Sequence, residues 1–173
     1  IDVKTTSDGV CVCWHDDDLK RVGVDSTITI PTTTLQQLQT LTLQQTRKDI
    51  TYTAHICTVE EYLAICQQYH VFPVVELKWG IGLNNNDMTL FPALYALIEK
   101  YGLVEETVIL TSMKHSIEYI RSNYPQLTCQ WLRHQVKEED YAWCEEWDVT
   151  LSVAHTSVTE DVVLRSKQIG KDV

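Results

Sequence analysis

Apolar positions along the chain follow two rhythms. Period-two stretches read as strands at residues 1–5, 10–15, 74–78, 107–111, 127–132 and 149–153. Between the later strands the apolar residues recur at helical spacing. Thr58 to Glu61 forms a capping box, continued by Tyr62, Cys66 and Tyr69. In 90–101, Leu94, Leu97, Ile98 and Tyr101 share one face, and Gly102 stops the helix. Helices are also predicted at 114–123, ending before Pro125, and at 137–146. Ser157-Val158-Thr159-Glu160 opens a last helix that Gly170 closes, and Asp172-Val173 reads as the start of another strand.

Alternation also assigns faces. In 10–15, Val10, Val12 and Trp14 point one way, and Cys11, Cys13 and His15 the other. Ser7-Asp8-Gly9, before it, is a turn. In 74–78, Glu76 and Lys78 share a face. A carboxylate and an ammonium in a buried strand are costly unless paired or holding an ion. Residues 20–56 break the rhythm with Thr and Gln. They read as a small insertion holding one short helix, capped by Thr34 and striped by Leu35, Leu38 and Leu41. Asn84-Asn85-Asn86-Asp87 reads as a polar loop.

Strands alternating with helices of about ten residues imply an α/β fold with a parallel sheet. A doubly wound sheet fits the count, but the Gly-rich phosphate turn after a first strand is absent. A (β/α)8 TIM-type barrel fits better, as a fragment without its first strand-helix unit and most of its last, since such barrels run to about 250 residues. The expected organisation is one barrel domain over 1–173 with the insertion at 20–56.

Charge narrows the partners. Lys and Arg number 14 against 24 Asp and Glu, a net charge of −10, which excludes sequence-independent nucleic-acid binding. An anionic substrate would then need a bound divalent cation among the carboxylates. Six cysteines show no CxxC and no framework spacing. They read as small buried hydrophobes of a reducing compartment, pointing to the cytosol. No apolar run approaches the roughly 20 residues that span a bilayer. Export, membrane association and oligomeric state stay open.

Ile1-Asp2-Val3, Thr6-Ser7-Asp8-Gly9-Val10, His15-Asp16-Asp17-Asp18-Leu19-Lys20-Arg21 and Glu76-Leu77-Lys78 occur in that order. This ordered set resembles the glycerophosphodiester phosphodiesterases, over nearly the whole chain. The resemblance implies a metal-dependent hydrolase that takes a small glycerophosphodiester to glycerol 3-phosphate and an alcohol. It implies Asp2 and Glu76 as ligands of Ca²⁺ or Mg²⁺, His15 as one of two acid–base histidines, and Lys78 as a phosphate contact. Hard oxygen ligands suit such a cation. A histidine can protonate a leaving alkoxide. The family's His-Arg motif, and the Glu of its Glu-x-Asp pair, would lie upstream of residue 1.

Asp16 is expected to support His15, with Asp17 and Asp18 on the surface. Arg21 is expected to pin the loop through a carboxylate. Trp131 is a candidate apolar wall for the glycerol or alcohol group, with core packing as its other reading; His155, after the 149–153 strand, reads as structural rather than pocket-lining. Two other readings remain: a related barrel phospholipase C or sphingomyelinase D-like enzyme, hinted at by the apolar loop Trp79-Gly80-Ile81-Gly82-Leu83, and a catalytically inactive binding module. A barrel missing strands at both ends would expose two parallel edges, so the isolated fragment is expected to be unstable and prone to aggregate.

Overall fold

Crossovers of a dozen or more residues allow neighbouring strands to run parallel, and the second half of the chain is built that way. A computed structural model describes residues 1–24, 27–78, 81–82 and 87–173. Strands β5 (Val74–Glu76), β6 (Val108–Thr111), β7 (Thr128–Arg133) and β8 (Thr150–Val153) lie in that order in one parallel sheet. Helices α3 (Phe91–Lys100), α4 (Lys114–Asn123) and α5 (Glu138–Glu146) connect them, and α6 (Glu160–Gln168) follows β8. Helix α2 (Val59–Tyr69) precedes the sheet. Both bonds of its predicted capping box form: the Glu61 N–H donates to the Thr58 hydroxyl, and the Thr58 N–H to the Glu61 carboxylate.

The start of the chain lies on the β5 edge. Asp2 bridges Glu76 in parallel, and the Glu76 N–H donates to the Ile1 carbonyl at 2.8 Å. The second strand then departs from the expected parallel order. Strand β1 (Val3–Thr5) pairs antiparallel with β2 (Cys11–Cys13), Val3 opposite Cys13. The connection is a tight turn, with the Thr6 N–H bonded to the Val10 carbonyl at 2.9 Å and Gly9 at φ 82°. A link that short can only reverse the chain.

The insertion holds more than the expected helix. Helix α1 (Leu35–Gln39) carries the predicted Thr34 cap. After it come β3 (Leu43–Arg47) and β4 (Ile50–Ala54), an antiparallel hairpin turned at Lys48 and Asp49, both left-handed. All of these residues except Leu43 are exposed, so no apolar alternation marks them. At the other end, residues 171–173 form no strand; the chain leaves α6 through Gly170 at φ 72°.

Two cores result. A small one joins Val12 and Leu19 to Ile30, Leu38, Leu43 and Ile56 of the insertion. The larger one joins the sheet to its helices and includes Leu63, Val75, Leu77, Phe91, Leu94, Ile109, Ile117 and Leu151. Strand β2 separates them as its alternation requires: Val12 enters the small core, while Cys11 enters the large one. In the parallel sheet, Val75, Leu77, Ile109, Cys129, Trp131 and Leu151 are buried toward the helices. Glu76, Lys78, Val108, Leu110, Gln130 and Leu132 alternate with them on the opposite face and are only half-buried.

Candidate active site

Three separated segments deliver polar groups to one end of that open face. The parallel bridge sets Asp2 level with Glu76. Lys78, two residues further along, shares the face of Glu76, and its Nζ lies 3.3 Å from Asp2 Oδ1. The antiparallel return of β2 brings the chain back beside its own start, where the Trp14 N–H donates to the Asp2 carbonyl at 3.0 Å. His15 follows immediately, and Lys78 Nζ hydrogen-bonds its Nε2. An ammonium has donors only, so Nε2 accepts and the ring proton sits on Nδ1. Nδ1 lies 2.5 Å from Asp16 Oδ1, and Arg21 Nε is 3.2 Å from the other Asp16 oxygen.

The chain Arg21–Asp16–His15–Lys78–Asp2 is therefore continuous. The hydrogen bond from His15 holds the Asp16 carboxyl below its ordinary range against an opposing desolvation, and the charges of Arg21 and Lys78 add to the effect. Asp16 remains an acceptor and fixes the imidazole tautomer. Asp17 instead meets Lys4 at 2.5 Å. Asp18 accepts from the Lys20 N–H, and its carbonyl accepts from the Trp14 indole at 2.8 Å. These contacts hold the loop on which His15 stands.

Glu76 joins the group through the backbone, and its carboxylate has no hydrogen-bond or ion-pair partner among the described residues. Asp2 Oδ1 is buried and accepts no hydrogen bond despite its nearness to Lys78. Among the described residues, no group of three or more His, Cys, Asp or Glu side chains is placed to hold an ion.

A model of the glycerophosphoryl diester phosphodiesterase family matches residues 1–173. The chain belongs to that family. Among solved structures it is similar to an Oleispira antarctica phosphodiesterase in complex with the product sn-glycerol-3-phosphate, at 17% identity and TM-score 0.81, covering 99% of this chain and 68% of that one. A glycerophosphodiester phosphodiesterase from Agrobacterium tumefaciens superposes at TM-score 0.75, with 16% identity and coverage of 99% and 70%. One from Parabacteroides distasonis superposes at 0.64, with 16% identity and coverage of 99% and 75%. No curated protein sequence matches significantly.

Trp131 lies apart from this family member's polar cluster and takes the core-packing place, the other of its two expected roles. Its indole packs 4.6 Å from that of Trp143 on α5, lies under Lys114 of α4, and donates to the Ser112 carbonyl at 3.0 Å. It is 2% exposed, so the phase of β7 turns it toward the helices. His155 stands in a short 3₁₀ turn after β8 and is exposed. Gln130 is a residue that sequence reasoning misses. It occupies the open face in register with Leu110 and Thr150, on the level of Glu76. Its one signal in the sequence is a lone amide alternating with Cys129 and Trp131. In the loop 79–87, Trp79, Gly80, Leu83 and the three asparagines 84–86 lie outside the described residues. Among the described residues, no helix is long and apolar enough to cross a membrane.

Proposed function

We propose that this chain hydrolyses glycerophosphodiesters to glycerol 3-phosphate and an alcohol, with a divalent cation bound beside His15 and Lys78. One observation carries the reading: Asp2, His15 and Lys78, from three separate segments, form a single contact chain next to Glu76.

The donor set fits Mg²⁺ or Ca²⁺. Asp2 and Glu76 supply hard carboxylate oxygens. The buried Asp2 Oδ1, which accepts no hydrogen bond, faces the Lys78 ammonium at 3.3 Å, a cationic place that a bound metal would take over as Lys78 turns to the phosphate. Two carboxylates suffice for a Mg²⁺ that keeps waters and takes substrate phosphate oxygens as its other ligands. When bound, the ion would neutralise the phosphate and stabilise charge on its oxygens.

His15 Nε2 is the proton-handling atom, since Nδ1 is committed to Asp16. With substrate bound, Lys78 turns its point charge from His15 to a phosphate oxygen. The imidazole is then free to exchange a proton with water or with the leaving oxygen. Water adds its oxygen to phosphorus, the bond to the alcohol oxygen breaks, and that oxygen leaves protonated.

The test is glycerol 3-phosphate release from glycerophosphocholine by the full-length protein, with Mg²⁺ or Ca²⁺ and with EDTA. Metal-dependent release that His15→Ala and Glu76→Ala both abolish is the expected result. A folded protein that releases no glycerol 3-phosphate from any glycerophosphodiester would overturn the proposal.

A further inference from the structure

Outside the polar cluster, two thiols face one another at the junction between the insertion and the sheet. Val12 pairs with Thr58 across an antiparallel bridge, which sets Cys13 directly opposite Cys57. The Cys13 N–H donates to the Cys57 carbonyl at 2.8 Å. Directly opposed residues in antiparallel pairs stand about 4.5–5.5 Å apart at Cα, and disulfides span about 4.4–6.8 Å.

The side chains converge as well. Cys13 Sγ is 3.6 Å and Cys57 Sγ 3.3 Å from the same acceptor, the Thr58 carbonyl oxygen. Cys11, Cys66, Cys129 and Cys144 are buried, whereas Cys13 and Cys57 are half-buried. Both line an open groove of about 280 Å³, walled by Trp14, Leu43, Tyr52 and Ile56, so a small reagent can reach them.

We propose that Cys13 and Cys57 are a disulfide-forming pair, closed by exchange with a low-molecular-weight disulfide such as oxidised glutathione. One thiolate attacks the small disulfide and releases one small thiol. The second protein thiolate attacks the resulting mixed disulfide and releases the other. The two protein thiols lose two electrons and two protons, and one small disulfide is reduced to two thiols. The bond ties the strand that delivers His15 to the residue preceding the Thr58 cap, and it closes a covalent loop around the whole insertion. Burial raises both thiols above their ordinary range, so exchange runs through a small thiolate fraction and is slow at neutral pH.

The experiment uses the folded full-length protein incubated with oxidised glutathione, then denatured at acid pH, alkylated, digested and mapped by mass spectrometry. The expected product is one Cys13–Cys57-linked peptide pair, lighter by two hydrogens than its reduced parts, with the other four cysteines alkylated. In Cys57→Ser, exchange is expected to stop at Cys13 as a lasting glutathione adduct. Wild-type protein that keeps glutathione on Cys13 or Cys57, leaves both alkylated after prolonged exposure, or links either to a different cysteine would overturn the pair. None of these readouts requires hydrolytic activity, so the result is independent of the proposed reaction.

Discussion

The two faces of the parallel sheet are made by the same strands and do opposite things. Toward the helices, Val75, Leu77, Ile109, Cys129, Trp131 and Leu151 are buried in one continuous core. On the other side, Glu76, Lys78 and Gln130 are half-buried, and Lys78 contacts Asp2 and His15. Residues one position apart, such as Leu77 and Lys78, therefore belong to different problems, packing and chemistry. The period of the strand keeps them separate. A substitution on either face should move one property and spare the other.

Each prediction tests that separation. His15→Ala should lower kcat by about 10²–10⁴-fold, or about 3–5 kcal/mol in barrier, with the melting temperature unchanged; a parallel loss of stability would merge the two roles. Trp131→Ala should do the reverse, costing about 3–5 kcal/mol in a urea melt. The folded fraction should keep its specific activity. If its KM rises instead, the helix-facing assignment fails. Lys78→Met should lower kcat/KM about 10²-fold by removing a charge from the phosphate site. It removes no core contact, so thermal unfolding should barely move.

A smaller effect lies away from both faces. Thr58→Ala should cost about 1 kcal/mol through lost capping of α2, read by chemical denaturation. The smallest effect is electrostatic. Asp16 is depressed, so its stabilising contribution is fully present above the ordinary carboxylate range and lost as pH falls through its lowered value. In His15→Ala, the carboxyl resonance of Asp16 should titrate at higher pH than in the wild type. An unchanged midpoint would mean that the hydrogen bond from His15 is not what holds it down.

Legibility in the sequence depended on whether the signal was local. Glu76 and Lys78 could be placed on one face because strand periodicity alone decides it, and the α2 start because Thr58 and Glu61 satisfy each other within one turn. The β3–β4 hairpin was not legible, since its residues other than Leu43 are exposed and carry no alternation; the remaining trace was Thr-rich sequence around Lys48-Asp49. Trp131 shows a different limit. The alternation in β7 opposed it to Gln130, but only the position of α4 and α5 reveals which of the two meets the helices. The His15–Lys78 contact was legible only through the family motifs, since no local rule joins residues so far apart.

That separation also bears on how the molecule assembles. His15 and Lys78 touch across 63 positions of sequence, whereas the helices and the β1–β2 hairpin need only near neighbours. Joining distant segments carries a loop-closure entropy that local structure does not. In refolding, helical signal should return before the His15–Lys78 contact forms, and a partly folded chain would look ordered while still unable to turn over.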